Sequence, residues 1–364
     1  MEQRRSLPVD LWQALYRAGL FHFTLPRDVG GFEAPLPDTL KILEAIAAID
    51  ASTAWNVAIG AGTATLGSMM QPEEARATIW SQPLGVAVGT LTVLGRADVA
   101  GDHYLVSGRW PFSSGCIGAT WYLAACNVFD DDEPRLDSQG NRVTVILPIP
   151  MSDCRIDETW DSAGLRGTGS HHVAIEGSRV RVEQGFTLFG ATFPGTPLHQ
   201  LPIMALLNSY LTAIMCGVVE GAFNEVFELI GERSAQKGGL DSFPSSIALQ
   251  IAELLAEAKA WRADLFSAAE ELWQEVLAAR EDDGARPPDD FAVRLASLGA
   301  ARRGPKLVSD ITVLAGGRAL TDAPGLQRRL RDSHAIASHG QYATPLFAKL
   351  GHEAVVRGVA SHAS

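Results

Sequence analysis

The chain contains 364 residues, of which 46% are hydrophobic and 20% are charged. This apolar share excludes an intrinsically disordered chain, and the length is sufficient for two or three domains with a large buried core. The formal net charge of −12 argues against a nucleic-acid-binding protein, which needs a basic surface. The first residues also lack the basic and apolar regions of a secretory signal.

The four cysteines do not form a CxxC motif or any close pair. They are Cys116, Cys126, Cys154 and Cys216. This usage predicts reduced, mostly buried thiols and a cytoplasmic protein.

The region from residue 8 to about residue 80 has the periodicity of amphipathic helices. Apolar residues such as Leu40, Leu43 and Ile46 recur at spacings of three and four. The intervening stretch LPRDVGGFEAP contains two prolines and a Gly-Gly pair, which indicates a loop.

A strand-like region follows from about residue 84 to residue 189. It contains short segments rich in Val, Ile, Tyr and Thr, separated by Gly or Asp turns: GVAVGTLTVLG, DHYLVSGRW, TWYLAACNV, RVTVILPI and HHVAIEGSRV. The acidic stretch FDDDEPRLDSQGNR at 129–142 is expected to be a solvated hairpin loop.

Beyond residue 201 the pattern is helical again, with four long helices that predict a bundle. One of them is predicted over 248–281 from its apolar stripe, and a final helix is predicted to begin near Leu326. Leu201–Val219 carries no charge and is long enough to cross a bilayer. Polar residues interrupt it, however, and no Lys/Arg cluster flanks it. We therefore expect a buried bundle helix and no membrane span.

The histidines do not form a recognisable metal site. His334 and His339 are five residues apart and so do not share a helix face, and His171 and His172 point to opposite sides of a strand. The HExxH, GxSxG, Walker and GxGxxG motifs are also absent. These absences argue against a zinc protease, a serine hydrolase, a P-loop nucleotidase and a Rossmann site.

Four segments remain as candidates for a functional site: GRWPFSSG (108–115), WDSAGLRGTGS (160–170), LAGGRAL (314–320) and RRLRDSHAIASHG (328–340). Each by itself is compatible with an ordinary turn, loop or helix end. In this order, and with GLFHFTLPRDVGG before them, they resemble the acyl-CoA dehydrogenase superfamily over nearly the whole chain. The resemblance implies an α+β fold with an N-terminal helical domain (1–83), a central β-barrel-like domain (84–195) and a C-terminal four-helix bundle (196–364).

One departure from the dehydrogenases changes the expected reaction. Their catalytic glutamate follows the Arg-Asp pair, and that position falls here on Gly340, which cannot act as a base. DASTAWN, GRWPFSSG, GLRGTGS and RDSHAIASH instead resemble the two-component flavin-dependent monooxygenases of this fold. That branch includes oxygenases of 4-hydroxyphenylacetate, dibenzothiophene and indole-type compounds.

The resemblance implies that reduced FMN or FAD reacts with O₂ to form a flavin C4a-hydroperoxide, which oxygenates a small aromatic or heteroaromatic substrate. The flavin is expected to be diffusible and to come from a separate NAD(P)H:flavin reductase. By position, the catalytic residues are His339, as an acid or base, and Ser114, as a hydrogen-bond partner of the flavin.

The resemblance also implies a set of cofactor-binding residues, each with a structural alternative. Trp110, Phe112 and Trp121 are expected to wall the flavin or to pack in the core. Arg166, Thr168 and Ser170 are expected to line the site or to cap a loop. Gly316 and Gly317 either permit close approach of the flavin or end a helix.

Arg233 lies where the dehydrogenases bind the pyrophosphate of a neighbouring subunit's FAD, and its alternative is an exposed arginine at a helix end. The phenylalanine expected shortly after it is missing, which fits a borrowed flavin. Assembly as a homotetramer, a dimer of dimers, is implied as well.

Two other functions remain open at this point. The first is an acyl-CoA dehydrogenase or oxidase whose base is relocated, for example to Glu220 or Glu225. The second is a non-catalytic family member that binds a ligand or partner. The substrate is not indicated by any motif.

Overall fold

A computed structural model describes residues 1–70, 73–80, 84–187, 196–236, 244–281, 286–321 and 324–363. The chain divides into two compact units. The β unit comprises Met1–Pro35, Trp55–Ser162 and Arg166–Gln200, and the helical unit comprises Leu36–Ala54, Ala163–Leu165 and Leu201–Ser364. The predicted α+β class is confirmed.

The β unit contains an eight-stranded sheet. Its strands are β1 (Ala87–Gly89), β2 (Gly95–Ala100), β3 (His103–Trp110), β4 (Trp121–Asp130), β5 (Glu133–Pro134), β6 (Thr144–Pro150), β7 (Cys154–Asp157) and β8 (His172–Arg181). The order is β1-β4-β2-β3-β8-β7, and β5 and β6 also pair with β4. The predicted acidic hairpin lies between β4 and β6, which are antiparallel. GVAVGTLTVLG, in contrast, is divided between β1 and the start of β2.

Strand β4 is the centre of this sheet, because β1, β2, β5 and β6 all pair with it. Both of its faces are buried. Successive side chains of a strand point to opposite faces. Accordingly, Tyr122 and Ala124 belong to one hydrophobic cluster, and Trp121 and Leu123 belong to another. A nearly continuous apolar run is therefore required here, which explains the sequence WYLAAC.

Three helices accompany the sheet or lead into it. They are α1 (Val9–Arg17), α3 (Ala51–Gly67) and α4 (Glu73–Trp80). Helix α3 is rich in Ala and Gly, and nearly all of its described side chains are buried. Small residues on all sides allow such a helix to be surrounded by protein.

The helical unit contains the remaining helices. They are α2 (Leu36–Ile49), α5 (Ile203–Gln236), α6 (Ser245–Glu281), α7 (Phe291–Leu314), α8 (Arg318–Thr321), α9 (Pro324–Ala337) and α10 (Thr344–Ala363). The uncharged stretch Leu201–Val219 lies mostly in α5, which is apolar and long enough for a membrane span. However, 78% of its most apolar window is buried inside the protein, as in a core helix. The single final helix predicted from Leu326 is wrong: it is interrupted between α9 and α10.

Helices α2 and α5 approach each other closely because glycine occupies two contact positions. A Cβ atom at Gly217 would lie 2.2 Å from the carbonyl oxygen of Glu44. One turn later, a Cβ atom at Gly221 would lie 2.1 Å from the guanidinium of Arg329. The Glu44 side chain, which is 5% exposed, is held by Arg262 of α6 in a two-bond ion pair of 2.6 and 2.7 Å. Such a fork is among the stronger charge-assisted contacts.

The two units group the chain differently from the three expected domains. Helix α2 belongs to the helical unit, although it lies within residues 1–83. The expected boundaries at 83 and 195 adjoin residues 81–83 and 188–195, which are outside the described residues. All four cysteines are free, and three are fully buried. Burial raises the pKa of the Cys116 and Cys126 thiols to about 12.

Candidate active site

Two neighbouring serines just beyond the end of strand β3, Ser113 and Ser114, make different sets of contacts. Ser113 donates its hydroxyl proton to the carbonyl of Trp110 and bonds the Tyr122 hydroxyl at 2.9 Å, within the core. Trp110 is fully buried, and its indole N–H donates to the carbonyl of Ala125. The structure therefore favours the packing interpretation for Trp110. Ser114 makes a different set of contacts.

Ser114 belongs to a chain of buried hydroxyl groups, which we call the hydroxyl cluster: Ser114, Ser170 and Thr168. The oxygen atoms of Ser114 and Ser170 are 2.7 Å apart, and those of Ser170 and Thr168 are 2.6 Å apart. The indole N–H of Trp55, on α3, donates to the Ser114 oxygen at 3.1 Å. Three of the predicted site residues are thus brought together.

Backbone hydrogen bonds join the two segments that carry the hydroxyl cluster. The N–H of Gly115 donates to the carbonyl of Thr168, and the N–H of Ser113 donates to the carbonyl of His171, both at 2.9 Å. The side-chain amide of Asn56 donates to the carbonyl of Gly167. The motifs TAWN, FSSG and RGTGSH therefore meet at one place, although they are far apart in sequence.

Phe112, two residues before Ser114, presents an aromatic ring to solvent. Its ring is 64% exposed and its backbone φ is +57°, a left-handed conformation that is strained for phenylalanine. The ring lies edge-on to Trp160 and His172, with centroid distances of 6.3 and 6.1 Å. Strain of this kind is concentrated at functional sites, so Phe112 is a candidate ligand-binding residue. Trp121, in contrast, is buried in the core.

His171 and His172 differ in their partners. His171 is buried, and its Nδ1 accepts the backbone N–H of Trp160 at 3.0 Å, so the neutral ring carries its proton on Nε2. The buried Nδ1 of His172 has no partner among the described residues. Burial lowers the pKa of both imidazoles.

Arg166 is engaged in contacts that shape its own loop. Its guanidinium donates to the carbonyls of Ser162 and Glu2 at 2.6 and 3.1 Å and forms an ion pair with Asp161 at 2.7 Å. These contacts favour the loop-capping interpretation for Arg166.

In the helical unit, His339 follows the end of α9 and begins the short turn that leads to α10. Its Nδ1 accepts the backbone N–H of Gln341 at 3.3 Å, so the neutral ring carries its proton on Nε2. Burial lowers the pKa of the half-buried imidazole. At neutral pH, His339 is therefore an uncharged hydrogen-bond donor through Nε2.

The Arg-Asp pair of α9 fixes the short segment Ala163–Leu165. The Asp332 carboxylate accepts the backbone N–H of Leu165 at 2.6 Å, and Arg331 donates to the carbonyl of Ala163. Leu165 has a φ of +50°, and the hydrogen bond from Asp332 satisfies its buried N–H and helps to hold this strained conformation. Arg166 and the rest of the RGTGS segment follow directly in sequence.

The other predicted residues in the helical unit are placed as follows. Gly316 has a φ of +62° just beyond the end of α7, and both it and Gly317 are exposed. Helix termination thus explains Gly316. Arg233 lies on α5, but its side chain is outside the described residues. The described residues contain no cluster of His, Cys, Asp and Glu suited to a metal ion.

Three residues of this region did not stand out as individual candidates in the sequence. They are Trp55, Trp160 and His172. Their contacts depend on which segments meet in the fold, and only the presence of Trp55 in TAWN and of Trp160 beside GLRGTGS gave a signal.

Comparison with known families assigns the class of protein. Residues 1–76 match the acyl-CoA dehydrogenase N-terminal domain, and residues 209–343 match the acyl-CoA dehydrogenase C-terminal domain. The chain belongs to the acyl-CoA dehydrogenase superfamily, as the sequence predicted.

Particular relatives are named as monooxygenases or hydroxylases. The chain is 26% identical to an indole-3-acetate monooxygenase of Acinetobacter baumannii, over 91% of this chain and 82% of the relative. It is 28% identical to the oxygenase component of an FADH₂-dependent resorcinol hydroxylase of a Rhizobium species, over 93% and 85%. The crystal structure of 3-HSA hydroxylase from a Rhodococcus species is similar with a TM-score of 0.84 and 24% identity, covering 97% of this chain and 91% of that one.

Proposed function

We propose that this protein is the oxygenase component of a two-component flavin-dependent monooxygenase that acts on a small aromatic or heteroaromatic substrate. The observation that carries the proposal is the hydroxyl cluster of Ser114, Ser170 and Thr168, together with the strained and exposed Phe112 two residues before Ser114. The names of the relatives, which are oxygenases of indole-3-acetate and resorcinol, support the aromatic substrate class.

The residues of the β unit fit a flavin. A flavin needs a flat apolar surface for its ring system and hydrogen-bond partners for its ring heteroatoms. Phe112 offers such a surface, with Trp160 and His172 at its edge. Ser114 offers a hydroxyl that is already held by other groups, and the orphaned Nδ1 of His172 offers an acceptor. We assign flavin binding to Phe112 and Ser114, with Ser170 and Thr168 supporting Ser114.

The reduced flavin, when bound, would supply the electrons that activate O₂. The chain's own residues would orient the ring, exclude water and hold protons. Ser114 holds a proton at Oγ, and His339 holds one at Nε2, where its neutral tautomer places it. This geometry favours a hydrogen-bond donor role for His339 at neutral pH over the role of a base.

The proposal includes the partner and the setting of the enzyme. A separate NAD(P)H:flavin reductase would supply reduced FMN or FAD, and the enzyme would work in the cytoplasm as a homotetramer. The designation of a relative as an oxygenase component supports the two-component arrangement.

The alternative of a dehydrogenase with a relocated base receives little support. Glu220 is exposed on α5. Glu225 accepts a 2.7 Å hydrogen bond from Arg329, whose guanidinium also donates to the carbonyl of Ala48. A carboxylate held in such a buried ion pair has a structural role, because its release would leave the arginine uncompensated.

The proposal is tested with protein purified without added flavin. Anaerobically reduced FMN or FAD is supplied, O₂ is admitted, and O₂ consumption and product are followed with a panel of phenols and indoles. We expect oxygenation that requires the added reduced flavin. His339→Ala should lower the rate of product formation by about tenfold or more, since one well-placed donor contributes about 10²–10³ to a rate. His334→Ala, at an exposed position on α9, serves as the control. Stoichiometric, tightly bound FAD that an acyl-CoA reduces would contradict the proposal.

A further inference from the structure

Trp55 contacts the hydroxyl cluster through a directional hydrogen bond. The side chain is 5% exposed and lies on α3, and its indole N–H donates to the Ser114 oxygen at 3.1 Å. An indole N–H is only a donor, so the direction of this bond is fixed. The bond therefore occupies one of the two acceptor positions of the Ser114 hydroxyl.

Ser170 occupies a second position on the same oxygen. Either hydroxyl can be the donor in the 2.7 Å hydrogen bond between Ser114 and Ser170. The same holds for the 2.6 Å hydrogen bond between Ser170 and Thr168. When Ser170 donates, both acceptor positions of Ser114 are filled and its own proton is available to a ligand. When Ser114 donates, it retains one acceptor position for a ligand. In both arrangements Ser114 has one hydrogen-bonding position left, and Trp55 determines where it points.

We propose that Trp55 is a positioning residue that holds the Ser114 hydroxyl in the orientation that binds the flavin ring. Without the indole donor, the hydroxyl is free to rotate toward Ser170 or to other staggered positions. Fixing its orientation then costs entropy when the flavin binds, which weakens binding. Trp55 acts on the flavin through Ser114. This inference rests on the proposed function, because it assumes that Ser114 contacts the flavin.

A double-mutant cycle on flavin affinity tests the proposal. Trp55→Phe removes the N–H and keeps an aromatic side chain, and Ser114→Ala removes the acceptor. The dissociation constant of reduced FMN and of reduced FAD is measured anaerobically for the wild type, both single variants and the double variant. We expect each single variant to bind roughly tenfold more weakly, as for one lost hydrogen bond. The double variant should be no weaker than Ser114→Ala, because the two changes remove the same interaction.

Trp80→Phe is the matched control. Trp80 is also buried in the β unit, at 7% exposure, and its indole nitrogen has no partner within the described residues. This variant should leave flavin affinity within about twofold of the wild type, since it removes no hydrogen bond. If Trp80→Phe weakens binding as much as Trp55→Phe, the effect is one of packing and the proposal is overturned.

Two further measurements test the proposal if the Trp55→Phe protein folds poorly. Replacing Trp55 by its sulfur isostere, benzothienylalanine, removes only the N–H and should reproduce the loss of affinity. In the flavin-free protein, the Trp55 indole proton should exchange faster with solvent after Ser114→Ala. The inference would be overturned if Trp55→Phe weakened flavin binding by the same factor in the wild type and in Ser114→Ala. The proposed function would then remain intact. An unchanged affinity in Ser114→Ala would instead contradict the assigned flavin site itself.

Discussion

At the scale of single residues, Ser113 and Ser114 show how adjacent identical side chains acquire opposite roles. Ser113 is completely buried and satisfies the Tyr122 hydroxyl and the Trp110 carbonyl. Ser114 turns away from this core and joins the hydroxyl cluster. Two serines in FSSG are equivalent by sequence pattern, and their separation follows from the φ of +57° at Phe112.

This difference predicts that flavin affinity distinguishes two conservative substitutions. Ser113→Ala leaves a buried Tyr122 hydroxyl with one partner fewer and should lower the free energy of unfolding by about 1–3 kcal/mol, with flavin affinity nearly unchanged. Ser114→Ala should lower flavin affinity, and it should also lower the free energy of unfolding, because the buried Trp55 indole N–H loses its acceptor. Urea unfolding and flavin titration of both variants provide the comparison. A Ser113→Ala protein of unchanged stability with weakened flavin binding would reverse the two assignments.

At the scale of helices, the packing of α2 on α5 depends on glycine at the contact. The Gly217 position has no space for a methyl group, since the carbonyl oxygen of Glu44 would lie 2.2 Å from it. Gly231, on the exposed side of the same helix, has nothing within 4 Å. Alanine at either position would gain helix propensity, but only alanine at Gly217 would also meet a steric clash.

Gly217→Ala and Gly231→Ala should shift stability in opposite directions. The first should destabilise the protein by about 1–3 kcal/mol, because the helices must move apart. The second should stabilise it by up to about 1 kcal/mol, because alanine is the better helix former. Chemical unfolding monitored by circular dichroism measures both. A stabilised Gly217→Ala variant would show that the helices are not in contact at this position.

Helix existence followed from the sequence more reliably than helix ends did. The apolar stripe of α6 predicted a helix over 248–281, and the structure has Ser245–Glu281. The interruption between α9 and α10 was missed although Gly340 and Pro345 lie at the break. The Nδ1 of His339 itself caps the new turn. Side-chain capping of that kind is a tertiary and local detail that periodicity does not record.

The site was predictable to the extent that motifs mark segments. Family resemblance indicated FSSG and RGTGS, and these do meet at the hydroxyl cluster. It did not separate Trp110, which packs in the core, from Phe112, which is exposed two residues later. Strand alternation ends where the chain leaves β3, so the direction of Phe112 depends on a backbone conformation that no spacing rule supplies.

At the scale of the whole molecule, buried neutral histidines link stability to pH. Burial makes the largest contribution to lowering the pKa of four imidazoles, those of His22, His171, His172 and His339. In the unfolded chain these imidazoles titrate near their ordinary value of about 6.5. Below that pH the unfolded state binds more protons than the native state, so protonation favours unfolding.

We therefore expect the free energy of unfolding to be nearly constant between about pH 7 and pH 8 and to fall as the pH is lowered from 6.5 toward the lowered native values. Thermal or urea unfolding between pH 5 and pH 8 measures this dependence. His22→Asn should make the slope shallower, because it removes one of the contributing groups. Stability that stays level or rises on acidification through this range would contradict the burial of these rings.

The inclusion of α2 in the helical unit also has a consequence for biosynthesis. Helix α2 ends at Ile49 and its partner α5 begins at Ile203, so about 154 residues are translated between them. At a typical rate of 5–20 residues per second, α2 leaves the ribosome about 8–30 s before its partner exists. During that interval the apolar face that later meets Gly217 is uncovered on the nascent chain. The helical unit thus closes late, and its first helix is a natural client for a chaperone.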